Sequence, residues 1–407
     1  MKILVLNCRI YSIEYELFEM TDRQQSGGTQ EKELCRGIVE NIGFDTAILT
    51  HITGDKTENK TEKIVQPVLD HQKGLELIMA TILNSKYCCI KSKDEIDAVG
   101  HRVVHGGWTF TSSVVIDENV KKEIYKDFEL APMHNPYNLK GIEMAEAYFP
   151  GKKNVAVFDT AFHQTMPEVA FRYALPSRLY HEYKIRRYGF HGVFHQYLSE
   201  RTAQLLKKDK ATLISFYLGA GSSACAISEG KSIDTSMGFT PTEGLVMTSR
   251  PGDLDAGIIT YLLRSGWTLT ELENCLNKES GTYGISGVSN EMKEVVEKSV
   301  KGDENAKLAV DIFVYRARKY LGAYYFVLGG KIDAISFTGR IAKNSPFIRE
   351  KILTGLEQFG IKIDSKKNEK TIGVEGEISA SDSKVKVFVL TRNEKLLIAR
   401  ETMELVK

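Results

Sequence analysis

The chain has 407 residues, of which 42% are hydrophobic and 26% charged, as in a globular protein large enough for two domains. Its formal net charge of +1 excludes a general electrostatic attraction to nucleic acid or to anionic membranes, so neither is an expected partner. No apolar run is long enough to span a membrane, and the first residues lack the features of a signal peptide, so we expect a cytoplasmic location.

The opening segment predicts a β-hairpin, because residues 2–7 form an apolar strand and residues 15–20 return after a short polar loop. The region 21–72 is polar and rich in Lys, Glu and Thr, and it carries no expected chemistry. Short apolar runs at 98–104 and 154–158 then predict two buried strands.

The second half opens with a similar pattern. Residues 212–218 predict an apolar strand, 219–223 a tight loop and 224–228 a returning strand. Two such units in the two halves of one chain favour an internal duplication, with coincidence between two hairpins as the alternative.

The clearest predicted helix is 304–328, in which apolar residues recur at helical spacing. Asp303 can cap its start, and the glycines at 329–330 end it. Strands are predicted at 334–338 and 385–390. Alternating strands and helices indicate α/β domains with parallel or mixed sheets, in which ligands bind at the carboxyl ends of the strands.

The six cysteines are scattered, without a CxxC pair and without a histidine at metal-ligand spacing. We therefore expect reduced thiols, buried or partly buried, in a protein of the cytoplasm. They are Cys8, Cys35, Cys88, Cys89, Cys225 and Cys275.

Polar residues that could take part in binding or catalysis lie at or after the ends of the strand-like runs. Arg102 stands between two histidines before a Gly-Gly pair, which fits an anion site, although a surface arginine beside a turn is an equal alternative. Asp159 ends a strand, where it could position a metal or a substrate, or cap a helix. His191 stands between Phe190 and Gly192 near an arginine pair, as expected for a hydrogen-bond donor where negative charge develops. Further candidates are His134 in a proline-bounded loop and Arg250 in a Gly/Pro loop.

These residues together suit phosphoryl transfer, which needs cations around the transferred group and a carboxylate for Mg²⁺. The chain has no P-loop, no protein-kinase motif set and no Ser-His-Asp elbow. A kinase of another architecture is therefore indicated.

Six segments, in this order, resemble the sequence blocks of the acetate kinase family. They read HRVVHGG (101–107), APMHNPYNLKGIE (131–143), VAVFDTAFHQTMP (155–167), RRYGFHGVFH (186–195), DTSMGFTPTEGLVM (234–247) and NEKLLIARET (393–402). The resemblance implies an α/β fold with two duplicated actin-like, ribonuclease H-like domains and a central cleft, in a homodimer. The implied domains are 1–160, completed by a helix at 395–407, and 161–394, the nucleotide side with the dimer interface.

The resemblance also assigns roles to individual positions. The implied catalytic residues are Asp159, His191 and Arg250; the substrate residues are Arg102, Val104, Met133, His134, Phe190 and Pro241; the metal residues are Asn7 and Glu394. The implied nucleotide-binding residues are Gly219, Ala220, Gly221, Glu291, Lys293, Arg340 and Asn344. Val104 marks the size of the acyl pocket, because a smaller residue there would indicate propionate or butyrate.

Four segments on the nucleotide side depart from the family pattern. The family's first loop is similar to NAGSSSLKY and here reads NCRIYSIEY at 7–15, with Glu14 in place of the lysine. HLGNG becomes YLGAG at 217–221, SSDMRD becomes SNEMKE at 289–294, and GIGEN becomes RIAKN at 340–344. The acyl side shows no such changes.

The resemblance therefore implies an acetate kinase, which transfers a phosphoryl group directly between ATP and acetate with Mg²⁺, or with Mn²⁺ as the alternative ion, and forms acetyl phosphate and ADP. One alternative keeps the acyl site but uses another donor such as pyrophosphate, since Arg9, Arg340 and Lys343 add cations. A second alternative is a catalytically silent protein that binds acetyl phosphate.

Overall fold

The structure is a computed structural model that describes residues 1–23, 28–54, 60–87, 89–391 and 393–407. Cys88 lies outside this range. The chain divides into two compact units, Met1–Ala161 with Asn393–Lys407, and Phe162–Arg392. Among the described residues, no helix is both long enough and apolar enough to cross a membrane.

The first unit consists of one mixed sheet with helices. Its elements are β1 Lys2–Arg9, β2 Ser12–Arg23, β3 Gly28–Glu40, β4 Ala47–Thr53, β5 Lys60–Gln66, α1 His71–Ile82, β6 Ala98–Val103, β7 Val114–Val115, α2 Glu118–Lys126, α3 Asn135–Tyr148, β8 Lys153–Phe158 and, from the C-terminal segment, α15 Glu394–Val406. The sheet order is β5-β4-β3-β2-β1-β6-β8-β7. Strands β1 to β5 form an antiparallel meander, whereas β1, β6 and β8 run parallel.

The second unit has a smaller sheet and more helices. Its elements are α4 Glu168–Phe171, α5 Ser177–Tyr183, α6 Gly192–Leu206, β9 Leu213–Leu218, β10 Ser222–Ser228, β11 Lys231–Thr235, α7 Ala256–Arg264, α8 Leu269–Asn274, α9 Gly281–Ser286, α10 Met292–Val300, α11 Glu304–Val327, β12 Ala334–Thr338, α12 Arg340–Asn344, α13 Pro346–Leu353, α14 Ser365–Lys370, β13 Gly376–Glu377 and β14 Lys386–Val389. The sheet order is β11-β10-β9-β12-β14-β13.

The two sheets share one topology. The order β3-β2-β1-β6-β8 in the first unit recurs as β11-β10-β9-β12-β14 in the second. In both, the first three strands are antiparallel, and the parallel strands follow on the other side of the first strand. This repeat confirms the predicted internal duplication and the duplicated actin-like fold class.

The predicted elements occur at the expected positions. The predicted strands at 98–104, 154–158, 334–338 and 385–390 are β6, β8, β12 and β14. Helix α11 begins after Asp303, whose side chain accepts a hydrogen bond from the N–H of Ala306 at 2.8 Å. Beyond its end, both predicted glycines have positive φ, 68° and 71°, a conformation that a side chain disfavours.

Each unit encloses its own apolar core. In the second unit, the buried face of α11 packs against β9 and β10 through residues such as Val310, Phe313 and Leu321. In the first, α1 packs its apolar face, including Leu75 and Ile78, beneath the meander. These cores hold the carboxyl ends of the parallel strands in place, where the polar candidate residues begin.

Candidate active site

Arg102 and Asp159 meet at the carboxyl ends of β6 and β8. The two strands are parallel neighbours with Val103 opposite Phe158, so the residues that end them lie side by side. The Nε of Arg102 donates to Asp159 Oδ1 at 2.9 Å, and its Nη2 donates to Oδ2. Both side chains are buried. This two-point contact fixes the plane of the guanidinium, so Asp159 holds Arg102 in place.

The histidines beside Arg102 add no positive charge. Burial lowers the pKa of His101 to about 4 and that of His105 to about 3. His101 Nε2 lies 2.8 Å from Asn154 Oδ1, and the Nδ1 of His105 accepts the N–H of Gly107 at 2.9 Å. Of these three neighbouring residues, Arg102 therefore supplies the positive charge.

The predicted acyl-pocket residues occupy different environments. Val104 is buried just after β6 and its N–H donates to Asn138 Oδ1 at 3.0 Å. Met133 is 52% exposed, and His134 is the residue from which α3 begins. In the second unit, Phe190 is buried and the carbonyl of Pro241 accepts a hydrogen bond from Arg250.

His191, Arg250 and Gly221 lie together in the second unit. A Cβ added to Gly221 would lie 3.5 Å from His191 Nε2 and 3.9 Å from Arg250 Nη2. Arg250 is anchored by the hydrogen bond from its Nη1 to the Pro241 carbonyl, at 2.6 Å. The loop between β9 and β10 thus brings its backbone close to one imidazole and one guanidinium, as a phosphoryl site requires.

A chain of hydrogen bonds orients the His191 ring. Its Nδ1 lies 2.9 Å from Ser223 Oγ, which in turn lies 2.8 Å from His195 Nε2. His195 Nδ1 continues to Ser215 Oγ at 2.7 Å. Burial lowers the pKa of His195 well below its ordinary value, so His195 is neutral and offers one acceptor and one donor.

This chain was not predicted from the sequence. Its one local signal is the spacing of His195 four residues after His191, the residue that directly precedes α6. The serines come from the separate strands β9 and β10, and no local pattern links them to the helix. The chain leaves the Nε2 of His191 directed toward Gly221.

The predicted metal residues lie in a polar cluster of the first unit. Asn7 of β1 stands opposite Glu14 of β2, so their side chains share one face of the sheet. Lys395 Nζ lies 3.1 Å from Glu14 Oε2 and 3.5 Å from Glu394 Oε1, which joins α15 to the same face. Asn7, Glu14 and Glu394 are all buried.

This cluster fits a hydrated Mg²⁺ ion, because carboxylate and amide oxygens are the ligands that Mg²⁺ prefers. The Nδ2 of Asn7 is buried without a hydrogen-bond partner among the described residues, as expected of a group that awaits a water or a phosphate oxygen. Lys395 and Glu14 were not among the predicted metal-site residues, although Lys395 directly follows Glu394 in sequence.

A cavity of about 310 Å³ in the second unit collects most of the predicted nucleotide-binding residues. Five of the seven line it: Ala220, Glu291, Lys293, Arg340 and Asn344. The other two, Gly219 and Gly221, belong to the adjoining loop, which is closed by a hydrogen bond from the N–H of Gly219 to the carbonyl of Gly221 at 3.0 Å. Met292, Val296, Ile341 and Pro346 supply apolar lining.

Arg340 and Glu291 form an ion pair at this cavity. The Nη2 of Arg340 donates to both carboxylate oxygens of Glu291. The side chains are 64% and 47% exposed, so the pair stands in solvent. Asn344 is turned back toward its own helix, where its Nδ2 donates to the Arg340 carbonyl at 3.0 Å.

The substitutions that distinguish this chain from the family pattern are compensated locally. Glu14, in place of the family's lysine, is neutralised by Arg9 at 3.0 Å and by Lys395. Tyr217 packs its ring against His191, with ring centroids 4.4 Å apart. Arg9, Glu14 and Arg340 are thus each paired with an opposite charge.

Three features together are those of a phosphotransferase of the duplicated actin-like fold. They are the repeated sheet topology, the arginine and histidine side chains described above, and the cavity in the second unit.

The chain belongs to the acetokinase family, whose model matches residues 2–400. It is 46% identical over 409 residues to an acetate kinase of Finegoldia magna, with all of both chains covered. It is 48% identical over 412 residues to an acetate kinase of Thermotoga maritima, with 100% of this chain and 99% of that protein covered.

Solved structures agree in fold. An acetate kinase of Porphyromonas gingivalis superposes with a TM-score of 0.91 at 41% identity over the full length of both chains. A propionate kinase of Francisella tularensis superposes with a TM-score of 0.87 at 39% identity over 99% of both chains.

Proposed function

We propose that the chain catalyses the reversible, Mg²⁺-dependent transfer of a phosphoryl group from ATP to acetate, which forms acetyl phosphate and ADP by direct in-line displacement. The observation that carries the proposal is the grouping of His191 and Arg250 around Gly221. One imidazole and one guanidinium beside exposed backbone suit a phosphoryl group that spreads negative charge over its oxygens. The full-length relatives named acetate kinase support acetate as the acceptor.

The contacts of the side chains support the following proposed roles in the reaction. Arg102 binds the carboxyl or phosphoryl oxygens, and Asp159 fixes its guanidinium through two hydrogen bonds. His191 donates from Nε2 to the transferred phosphoryl group, because its Nδ1 is already engaged by Ser223. Arg250 neutralises charge on the same group. Val104, Met133, Phe190 and Pro241 contact the methyl group, and His134 lies beside the reacting centre.

Asn7 and Glu394 hold the Mg²⁺ ion directly or through water, with Glu14 and Lys395 as neighbours. When bound, the ion neutralises phosphate charge. The buried Nδ2 of Asn7 provides a donor to the water or phosphate oxygens around it.

ATP is favoured over pyrophosphate as the donor. The cavity in the second unit has the size and the mixed apolar and polar lining that an adenosine moiety needs. Two of the cations that suggested pyrophosphate, Arg9 and Arg340, are paired with Glu14 and Glu291. These two arginines therefore offer less positive charge to a second phosphate group than two unpaired cations would. The homodimer implied by the family resemblance stays a prediction.

Acetyl hydroxamate formation by the purified protein with acetate, MgATP and hydroxylamine tests the proposal. We expect product above background, its loss on chelation of Mg²⁺, and a slower reaction with pyrophosphate. His191→Ala and Arg250→Ala should each lower kcat by about 10²- to 10³-fold. Arg318→Ala is the matched control, because the Nη1 of Arg318 donates to backbone carbonyls near the end of α13, at a distance from the candidate site along the chain. Absence of product with MgATP would overturn the function, and faster turnover with pyrophosphate would overturn the donor.

A further inference from the structure

Three potential metal ligands that belong to no part of the candidate active site meet in the first unit. They are Cys35, His51 and Cys89, whose Sγ, imidazole nitrogen and Sγ all lie within 4.8 Å of one another. The sequence spacing predicted no histidine partner for the cysteines. The fold nevertheless brings together these three residues, which are 16 and 38 positions apart in the chain. The thiols of the described residues are free, as predicted.

The sheet register explains why Cys35 and His51 share one face. In the antiparallel pair of β3 and β4, Gly37 stands opposite His51 and Cys35 stands opposite Thr53. Cys35 is therefore diagonal to His51 on the same side of the sheet. Cys89 approaches from the segment that follows α1, with its Sγ 3.9 Å from His51 Nε2. The site thus connects two strands with a separate loop.

The orientation of the His51 ring is built into the neighbouring strands. Tyr15, Gly37 and His51 lie in one row across β2, β3 and β4. The hydroxyl of Tyr15 crosses above Gly37 and contacts His51 Nδ1 at 2.5 Å. A Cβ at Gly37 would lie 2.5 Å from that hydroxyl, so glycine is required there. With Nδ1–H donating to the Tyr15 oxygen, the lone pair of Nε2 faces the thiols.

The cluster is enclosed as well as oriented. Cys35 and His51 are 1% exposed and Cys89 is 9% exposed. Tyr87 covers the imidazole edge-on, with ring centroids 4.9 Å apart. The Sγ–Nε2 distance of 3.9 Å is close to the separation of about 3.5 to 3.8 Å between ligands of a tetrahedral zinc ion. The other separations between the ligand atoms lie within 4.8 Å, so three coordination bonds would require these atoms to approach one another by up to about 1 Å.

We propose that Cys35, His51 and Cys89 bind a Zn²⁺ ion through Sγ, Nε2 and Sγ, with one coordination position left for a small ligand such as water. Two thiolates neutralise the dication, so the bound site carries no net charge into the core. Thiolate and imidazole ligands select zinc over Mg²⁺, whose preferred oxygen ligands lie in the separate cluster around Asn7 and Glu394. The ion would link strands β3 and β4 to the loop after α1.

Titration of the reduced, metal-stripped, full-length protein with Co²⁺ tests this site. We expect one equivalent to produce a thiolate-to-cobalt charge-transfer band and the visible bands of a tetrahedral ion. Zn²⁺ should bleach both, whereas Mg²⁺ should leave them unchanged. The phosphoryl-transfer activity is not the readout, so failure of this proposal is distinguishable from failure of the proposed function.

Variants locate the ion within the chain. Cys89→Ser and Cys35→Ser should each remove most of the charge-transfer band, while Cys225→Ser, a buried thiol of the other unit, should keep it. Tyr15→Phe should keep the band but weaken Co²⁺ binding by about 10-fold, because it removes only the support of Nδ1. If Cys35→Ser does not fold, the rise in Tm caused by Zn²⁺ is compared between the wild type and Cys89→Ser, where it should vanish.

Two results would overturn the proposal. One is the absence of a charge-transfer band in the wild type, or a band of full intensity in Cys89→Ser. The other is a Cys35–Cys89 disulfide that forms in air in the presence of equimolar Zn²⁺, since a bound ion would protect both thiolates.

Discussion

His191 carries the clearest conformational cost among the residues of the candidate site. Its backbone is left-handed, with φ 59° and ψ 22°, a region that residues with a Cβ seldom adopt. The helix α6 begins directly after it, and the hydrogen-bond chain through Ser223, His195 and Ser215 holds its ring. Strain of this kind persists when the surroundings determine the conformation, which is the case here.

Replacement of Ser223 by alanine should separate positioning from binding. We expect Ser223→Ala to lower kcat by about 10-fold, because His191 loses the partner of Nδ1, and to change KM for acetate and ATP by less than about 2-fold. Steady-state kinetics measures both. The control is Ser232→Ala, which removes a comparable bond to the buried His163, at 2.8 Å, and should leave kcat nearly unchanged. Equal losses in the two variants would show a general structural effect.

At the scale of elements, a buried ion pair joins β2 to α15. The side chains of Glu14 and Lys395 are only 9% and 12% exposed, and their charged atoms lie 3.1 Å apart. Removal of one partner from such a pair leaves the other charge buried and uncompensated. The unfavourable charge change at position 14 is therefore tolerated because α15 supplies its counter-ion.

A charge-swap cycle tests this pairing. Glu14→Lys should lower the free energy of unfolding by about 3 to 5 kcal/mol, because it places like charges together in the core. The double variant Glu14→Lys with Lys395→Glu should recover at least about 1 kcal/mol of that loss. Urea denaturation measures each value. Glu62→Lys is the control: its partner Lys86 is 62% exposed, so reversal should cost less than about 1 kcal/mol. No recovery in the double variant would contradict the pairing.

The ion pair between Arg340 of α12 and Glu291 before α10 stands at the nucleotide cavity. Because both side chains are exposed, the pair is worth at most about 1 kcal/mol. We expect a nucleotide that enters the cavity to displace this pair.

Arg340→Ala should therefore lower KM for ATP by about 2- to 5-fold without a change in Tm. Initial-rate kinetics and thermal denaturation provide the two readouts. Lys351→Ala serves as the control, since it breaks an ion pair of similar exposure with Asp311 that lies outside the cavity. A higher KM for ATP in Arg340→Ala would instead mean that Arg340 binds the phosphates.

At the scale of the whole molecule, buried histidines make stability depend on pH. Burial lowers the pKa of His101 to about 4, that of His105 to about 3 and that of His163 to about 4. The folded chain holds these side chains neutral. In the unfolded chain they are protonated below the ordinary histidine pKa of about 6.5. Their contribution to stability is present above that pH and is lost as the pH falls toward the folded pKa values.

The free energy of unfolding of His101→Gln should consequently fall less steeply than that of the wild type between about pH 6 and about pH 5, by up to about 1.4 kcal/mol per pH unit. The slopes of the two proteins have to be compared because Glu16 changes the stability in the opposite direction. Burial raises the pKa of Glu16 to about 8, so its contribution to stability grows as the pH falls. Urea denaturation at several pH values measures the slopes. His181→Gln, at an exposed histidine, should match the wild type, and a parallel slope for His101→Gln would refute the assignment.

The sequence predicts much of this organisation because its signals are local. Apolar runs bounded by turn residues identify β6, β8, β12 and β14, and helical spacing with a capping Asp303 identifies α11. The repeated strand–loop–strand pattern indicates the duplication. Arg102 is the penultimate residue of β6, Asp159 directly follows β8 and His191 directly precedes α6, so position in the chain is enough to select them.

Contacts between distant residues required the tertiary structure. Nothing in the spacing of Cys35, His51 and Cys89 reveals that a strand register and a loop bring them within 4.8 Å. The same holds for Ser223 beside His191, for Lys395 beside Glu14, and for Arg340, whose guanidinium turns to Glu291. Local sequence specifies strands, helices and turns through backbone preference and apolar periodicity. Which charges are neutralised, and which thiols meet a histidine, depends on the packing of those elements against one another.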